Sequence, residues 1–591
     1  MYRLELRSLL LAGVWTIFSL PGVGQTAATA GPPASGAIFP LSQVHAGLHA
    51  TAWTVFRGTV PEPMDVEVLG VLHGGRGPNQ DMILVQLHGA KPEYTGVVAG
   101  MSGSPVYVDG KLMGALAYRI GQFSRDPIAG ITPIEQMLQV RDLPVSPASP
   151  SPPAATGNMN LQPMETPLTM SGFGPEAIRF WQQHMAGTRL EMVAAGGNGQ
   201  STSVPSSPAV GPGSAVSAQL VRGDMEIAAT CTVTYTDAKH LLACGHPLFQ
   251  LGSVQLPMTA SEVVATLASP LNAFKIVNTG AVIGTFTEDR DAAIRGEFGR
   301  QAHMIPMRLT FRTPESERRS MQVEILDQPA LTPQAAMVVM VQMLTSALSN
   351  TAIASYHIQG HIRVAGLEPI PVDQWAVPTD AMPAPIAAAV QLGERVGRIY
   401  SNSTRTAALE EIELEVEELP RKALTEIRSA RLLGPTAVLP GETVEVEATL
   451  RPFQQEERRV RMQFMVPARL APGPVRLLLS DAATLDRTLN QPPTVGHTAA
   501  LKAVAAEFQA RHAADRIYLT LLLPETQAAV EGQTIYNVPL SLANTLEPLR
   551  ARQDASLHGE SAEPVAEIPT DELITGFELL TLHILPGAGV N

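Results

Sequence analysis

Six residues, Gly100-Met101-Ser102-Gly103-Ser104-Pro105, carry the clearest chemistry in this chain. Glycines on both sides of Ser102 let the backbone turn sharply and bring amide hydrogens toward one point. A serine nucleophile needs this: the hydroxyl projects, and amides of the same turn, here those of Gly100 and Ser102, form an oxyanion hole. The hexapeptide runs into Val106-Tyr107-Val108, Asp109-Gly110 and Lys111-Leu112-Met113-Gly114-Ala115-Leu116. An Asp-Gly pair between two apolar runs predicts a type I′ hairpin. The serine is therefore expected on a loop feeding a β-hairpin. The G-x-S-x-G nucleophile elbow does not apply, because its fifth residue is glycine and a helix follows it. The plainer reading of the hexapeptide is a Gly/Ser-rich turn without chemistry.

A serine hydroxyl needs a base, and the base needs an orienting partner. Of 14 histidines, His246 has the most constrained setting, Leu241-Leu242-Ala243-Cys244-Gly245-His246-Pro247-Leu248. It leaves a strand at a sharp turn between glycine and proline. His240 competes, but lies nearer the hairpin turn. For the acid the reading favours Asp289, in Thr287-Glu288-Asp289-Arg290, with Asp81 as the alternative. The plainer roles are a loop-capping histidine and an Asp-Arg pair that fixes a turn. Cys231 and Cys244 lie symmetrically about a turn near Asp237-Ala238, placed either to bond across a hairpin or to remain buried thiols. There is no C-x-x-C and no H-E-x-x-H, and neither metal nor organic cofactor is expected.

The positioning elements follow from composition. The chain has 591 residues, 45% hydrophobic and 16% charged, with a net charge of −14. Large cores can form, and the acidic balance disfavours a nucleic-acid partner. Residues 1–30 read as a signal peptide: Arg3 and Arg7, an apolar run from Ser8 to Leu20, then Ala28-Thr29-Ala30. The apolar run is short for a span, so export to the periplasm or beyond is expected, with no membrane span after cleavage. Residues 39–143 hold short strand-like runs such as Met82-Ile83-Leu84-Val85-Gln86-Leu87 and a short helix from Pro133 to Leu138 with Thr132 as cap. Residues 144–213 form a Pro/Gly/Ser-rich linker with one helical insert around Phe180-Trp181. Residues 214–370 form a second β unit, interrupted by a helix from Thr332 to about Ser349 that reads as buried core. Ile412, Leu414 and Val416, then Val444, Val446 and Ala448, alternate with polar residues and predict an immunoglobulin-like sandwich over 406–485. Residues 495–591 hold an amphipathic helix, Thr498 to Ala513, and scattered strands, a small α+β region.

The hexapeptide entering a hairpin resembles the nucleophile loop of chymotrypsin-like serine proteases. With Asp109-Gly110-Lys111-Leu112-Met113-Gly114-Ala115, Thr232-Val233-Thr234-Tyr235, Gly245-His246 and, more weakly, Thr287-Glu288-Asp289-Arg290, the chain resembles the SpoIVB-type sporulation serine peptidase family over about residues 40–370. The resemblance implies a mainly β fold with two chymotrypsin-like β-barrel units, Ser102 as nucleophile and His246 as base. It implies a serine endopeptidase acting on protein or peptide substrates. The chain departs from the family's sporulation members in three ways. Its serine precedes its histidine, no PDZ domain is evident, and the position of an upstream acid falls near His88. The alternative expectation is an inactive, peptidase-like envelope scaffold or binding protein. In either case the C-terminal sandwich is expected to engage an envelope protein partner.

Overall fold

The alternating runs of the first unit form strands that close on themselves. In a computed structural model, residues 31–586 are described, apart from 34–35, 121–125, 145–160, 186–189, 195–209, 270–272, 313–317, 347–352, 403–408, 490–500, 531–532, 536–537 and 552–554. The expected leader and half of the expected linker lie outside the described residues. The first strands are β1 (His49–Thr54), β2 (Glu62–Gly77), β3 (Gln80–His88), β4 (Pro105–Val108), β5 (Lys111–Ile120) and β6 (Ile128–Pro133). They pair in the order β4-β1-β2-β3-β6-β5, and β4 also pairs with β5, closing a six-stranded barrel. Its interior is filled by Val66, Val68, Ile83, Val85, Leu87 and Ile131, each at most 1% exposed. Burying such side chains fully contributes about 1.5–3 kcal/mol each. The hairpin between β4 and β5 has the expected turn, with φ of 48° at Asp109 and 77° at Gly110. Both angles are positive, as type I′ requires.

After β7 (Leu161–Pro163), which extends the first sheet from β5, the chain enters a 13-stranded sheet. Its strands are β8 (Thr166–Ser171), β9 (Leu190–Ala194), β10 (Ala215–Gly223), β11 (Glu226–Thr236), β12 (His240–Ala243), β13 (Gly252–Leu267), β14 (Phe274–Arg290) and β15 (Ala293–Phe298), then β16 (Met304–Arg312), β17 (Arg318–Leu326), β18 (Ser355–Val364), β19 (Ile370–Ala376) and β20 (Leu409–Leu419). Within it β10-β13-β14-β15-β12-β11 are successive neighbours, and β10 also pairs with β11. A second ring of six strands is thereby hydrogen-bonded shut, and β17, β16, β20, β18 and β19 extend the sheet from β10. The helix Thr332–Ser346 is apolar around most of its circumference, and Val338, Val339, Met340 and Val341 have no exposed surface. It is core, as its sequence predicts.

Two expectations about the C-terminal third are corrected. The strand carrying Ile412, Leu414 and Val416 does not open a sandwich. It is β20, parallel to β16 (Met307↔Ile412) and antiparallel to β18 (Ile358↔Val416). Alternation shows that one face is buried, and says nothing of which sheet buries it. The sandwich-like region is instead built from both ends of the remaining chain. One sheet contains Leu424–Leu432, Thr443–Pro452, Arg458–Met465 and Leu573–Thr575. The other contains Ala437–Val438, Gly473–Ser480, Arg516–Leu523, Ser561–Pro569 and Phe577–Ile584. The expected boundary at 485 thus cuts through one β unit. The amphipathic helix is shorter than expected, Leu501–Gln509, and its Val504, Ala505 and Phe508 pack into the second unit's core. Among the described residues no helix is long and apolar enough to cross a membrane.

Two buried arginines join the two six-stranded units. Arg295 on β15 donates to the carbonyls of Val140 (3.4 Å), Arg141 (3.1 Å) and Leu143 (2.7 Å) at the end of the helix Ile134–Arg141. A cation at a helix C-terminus meets orphan carbonyls and the negative end of the helix dipole. Arg76 on β2 reaches Asp291, between β14 and β15, with Nη2 2.6 Å from Oδ2.

Candidate functional site

The hexapeptide forms a tight turn at the junction of the two units. Gly100 and Gly103 have φ of +93° and +94°. Met101 is fully buried in the first barrel's core and anchors the turn there. Gly103 N donates to Leu116 O (2.7 Å) and Ser104 N to Met101 O (2.9 Å). The Ser104 hydroxyl also donates to Met101 O, at 2.6 Å. Ser104 is therefore a structural pin. The amides of Gly100 and Ser102, the expected oxyanion donors, are not among those the turn consumes.

The second unit grips this turn directly. Thr232 N donates to Ser102 O at 2.8 Å, the Thr232 hydroxyl to Gly100 O at 2.8 Å, and the Thr234 hydroxyl to Gly103 O at 2.7 Å. A Cβ at Gly103 would lie 1.9 Å from Thr232 O. Glycine is required there by close backbone approach as well as by φ.

His246 follows two residues of positive φ, Cys244 (+68°) and Gly245 (+70°). The Thr132 hydroxyl, expected to cap a helix, donates instead to Gly245 O at 2.6 Å. The helix begins at Ile134 and has no side-chain cap. A Cβ at Gly245 would lie 2.9 Å from the Ala117 methyl on β5. The loop bearing His246 thus packs against the hairpin that follows Ser102. Cys231 and Cys244 are bonded, with Cα atoms 5.1 Å apart. The Ser102 hydroxyl rests 3.7 Å from Cys231 Sγ. One disulfide therefore links the strand beneath Ser102 to the residue two before His246.

The expected acid has a different role. Asp289 accepts amide hydrogens on both carboxylate oxygens, from Leu248 (2.8 Å to Oδ1) and from Phe249 and Leu251 (2.8 and 3.4 Å to Oδ2). It shapes the loop that follows His246. Burial pushes its carboxyl above the ordinary value, and the same backbone amides oppose that rise. The ring of His246 is oriented by main chain, with Nδ1 2.8 Å from Pro247 O. A carbonyl only accepts, so Nδ1 carries the proton and Nε2 is the basic nitrogen. Asp81 is engaged elsewhere, with His73 (3.1 Å) and the Gly74 amide (2.9 Å). These bonds, the Gly74 amide first, hold its carboxyl below the ordinary range. His240 pairs with Asp237 at 3.4 Å, beside the hairpin turn.

Ser102 has no exposed surface and His246 is 1% exposed, so the site is closed in this conformation. Three features escaped the sequence reading. The Pro247 carbonyl is backbone and carries no residue signature. Arg295 and Lys275 lie in ordinary strand patterns, and nothing local marks either as fully buried. Among the described residues one cluster, His361, Glu411 and Glu413, has ligand atoms within 4.8 Å of one another. Arg308 and Arg363 already lie against its carboxylates, at 3.1–3.6 Å. No protein-family profile, curated protein or solved structure matches this chain.

Proposed function

We propose that this chain is an exported serine endopeptidase resembling the SpoIVB-type peptidases. Ser102 Oγ attacks the scissile carbonyl. His246 Nε2 takes the hydroxyl proton and returns it to the leaving amine. The amides of Gly100 and Ser102 hold the oxyanion, and the Pro247 carbonyl keeps the imidazole in the basic tautomer. The carrying observation is that both stretches are bonded into one junction: Thr232, beside the disulfide-bonded Cys231, grips the Ser102 turn through its amide on Ser102 O, and Thr132 of the first barrel holds the residue before His246 through its hydroxyl on Gly245 O. Two stretches far apart in sequence are held at one junction by fully buried bonds. Catalysis requires the Ser102 hydroxyl to rotate off Cys231 Sγ and the covering segments to part.

One observation favours a second reading, an inactive peptidase-like envelope scaffold: the complete burial of Ser102. A serine-reactive fluorophosphonate separates the two. The peptidase reading expects labelling that disappears in Ser102→Ala and falls sharply in His246→Ala. A folded wild-type protein that never labels supports the scaffold.

A further inference from the structure

Lys275 opens β14 where that strand passes the start of the hexapeptide. Its amide donates to Ala99 O at 3.1 Å, and the Ala99 amide donates to Ala273 O at 2.8 Å. The side chain lies on Gly100: a Cβ built there would stand 3.2 Å from Lys275 Cδ. No part of Lys275 is exposed. Nζ donates to Thr54 Oγ1 at 2.7 Å. Thr54 Oγ1 lies 3.5 Å from Thr232 Oγ1, and Thr232 Oγ1 donates to Gly100 O at 2.8 Å.

The direction of this chain is set at its ends. An ammonium only donates and a carbonyl only accepts. The Thr54 hydroxyl therefore accepts a hydrogen bond from Lys275 and donates to Thr232, which donates to Gly100 O. Hydrogen bonds aligned this way polarise one another in a low-dielectric interior. Thr54 and Thr232 are fully buried. The elements packed against the lysine present it with Thr54 from β1, Thr232 beyond it, the Gly100 backbone, and Thr266 opposite on β13. None of these carries a charge. Burial pulls the Lys275 ammonium down from 10.5 to about 7, with no carboxylate beside it among the described residues.

We propose that Lys275 is a positioning residue of the Ser102 site, holding the Gly100–Met101 peptide plane through Thr54 and Thr232 so that the turn presents Ser102 and its oxyanion amides. The proposal rests on the peptidase reading. An uncompensated buried cation is costly to a fold. Here the hydrogen bond of its ammonium to Thr54 leads to the turn on which that reading depends.

The test measures fluorophosphonate inactivation as a limiting rate, a binding constant and an end-point stoichiometry. Lys275→Met and Thr232→Val should each lower the limiting rate about ten-fold or more. Binding constant and stoichiometry should stay within about two-fold of wild type. The double variant should be no slower than either single one, because both cut the same chain. A purely structural lysine would lower stoichiometry and leave the limiting rate of the folded fraction unchanged. If Lys275→Met misfolds, Thr232→Val, which keeps the lysine, decides the matter. Wild-type rates in both single variants, or additive losses in the double one, overturn the proposal and leave the peptidase reading standing. A wild-type protein that never labels removes both.

Discussion

Replacing Lys275 by methionine should stabilise the first two units of this protein, and the gain should shrink as pH rises. Methionine keeps the length and most of the volume of the side chain, so no large cavity opens. The charge is what changes. Lys275 titrates near 7 in the fold and at the ordinary 10.5 when exposed. The unfolded chain therefore binds this proton more tightly than the folded one. Below about pH 7 both states are protonated and the full cost is present; between about 7 and 10.5 stability rises with pH; above that range the cost is gone. At about 1.4 kcal/mol per pH decade, the full cost is of order 5 kcal/mol. Methionine also loses the hydrogen bond to Thr54, about 1.5–3 kcal/mol for a charged donor, so the expected gain near pH 6 is about 2–3 kcal/mol. Between about pH 6 and pH 9 the advantage of the variant over wild type should fall by about 2–3 kcal/mol.

The assay is urea denaturation followed by tryptophan fluorescence. Beyond the expected leader, the tryptophans are Trp53, Trp181 and Trp375, all before the C-terminal β unit. All three are buried, so the signal reports the two units that carry the site. A difference between wild type and variant that is constant across pH, or a variant less stable at both values, refutes a buried, uncompensated ammonium.

Three further outcomes are expected. Gly103→Ala places a methyl 1.9 Å from Thr232 O on a backbone with φ of +94°, and should cost about 3 kcal/mol or more, read as a lower urea midpoint; a wild-type midpoint contradicts the close approach of the two units. Arg295→Met leaves three helix-end carbonyls without their donor and removes one of the two cations bridging the buried Glu288. A loss of about 3–5 kcal/mol by the same assay is expected, and a neutral result refutes its role in joining the units. Asp289→Asn turns a donor toward amide donors in the loop after His246, and should lower both the midpoint, by about 2 kcal/mol, and the labelling rate of Ser102; unchanged labelling separates Asp289 from the orientation of His246.

The sequence by itself determined the local devices of this protein. Asp109-Gly110 between apolar runs makes the type I′ turn because both residues must adopt positive φ. The glycines around Ser102 mark its tight turn, and the spacing of Cys231 and Cys244 about one hairpin turn allowed the disulfide that forms. The apolar helix from Thr332 announced its own burial. Tertiary structure decided whatever depends on which faces meet. Period-two alternation at Ile412, Leu414 and Val416 shows a buried face, and only the register with β16 and β18 shows whose core it fills. Asp289 is the acid the sequence favours for His246, yet its oxygens go to backbone amides, and the acceptor for His246 Nδ1 is a carbonyl that no residue code reveals. The buried lysine chain from Thr54 through Thr232 to Gly100 joins residues from three separate strands and a turn. Such contacts arise from long-range packing, where burial alters proton affinity and hydrogen-bond direction, and no local spacing encodes them.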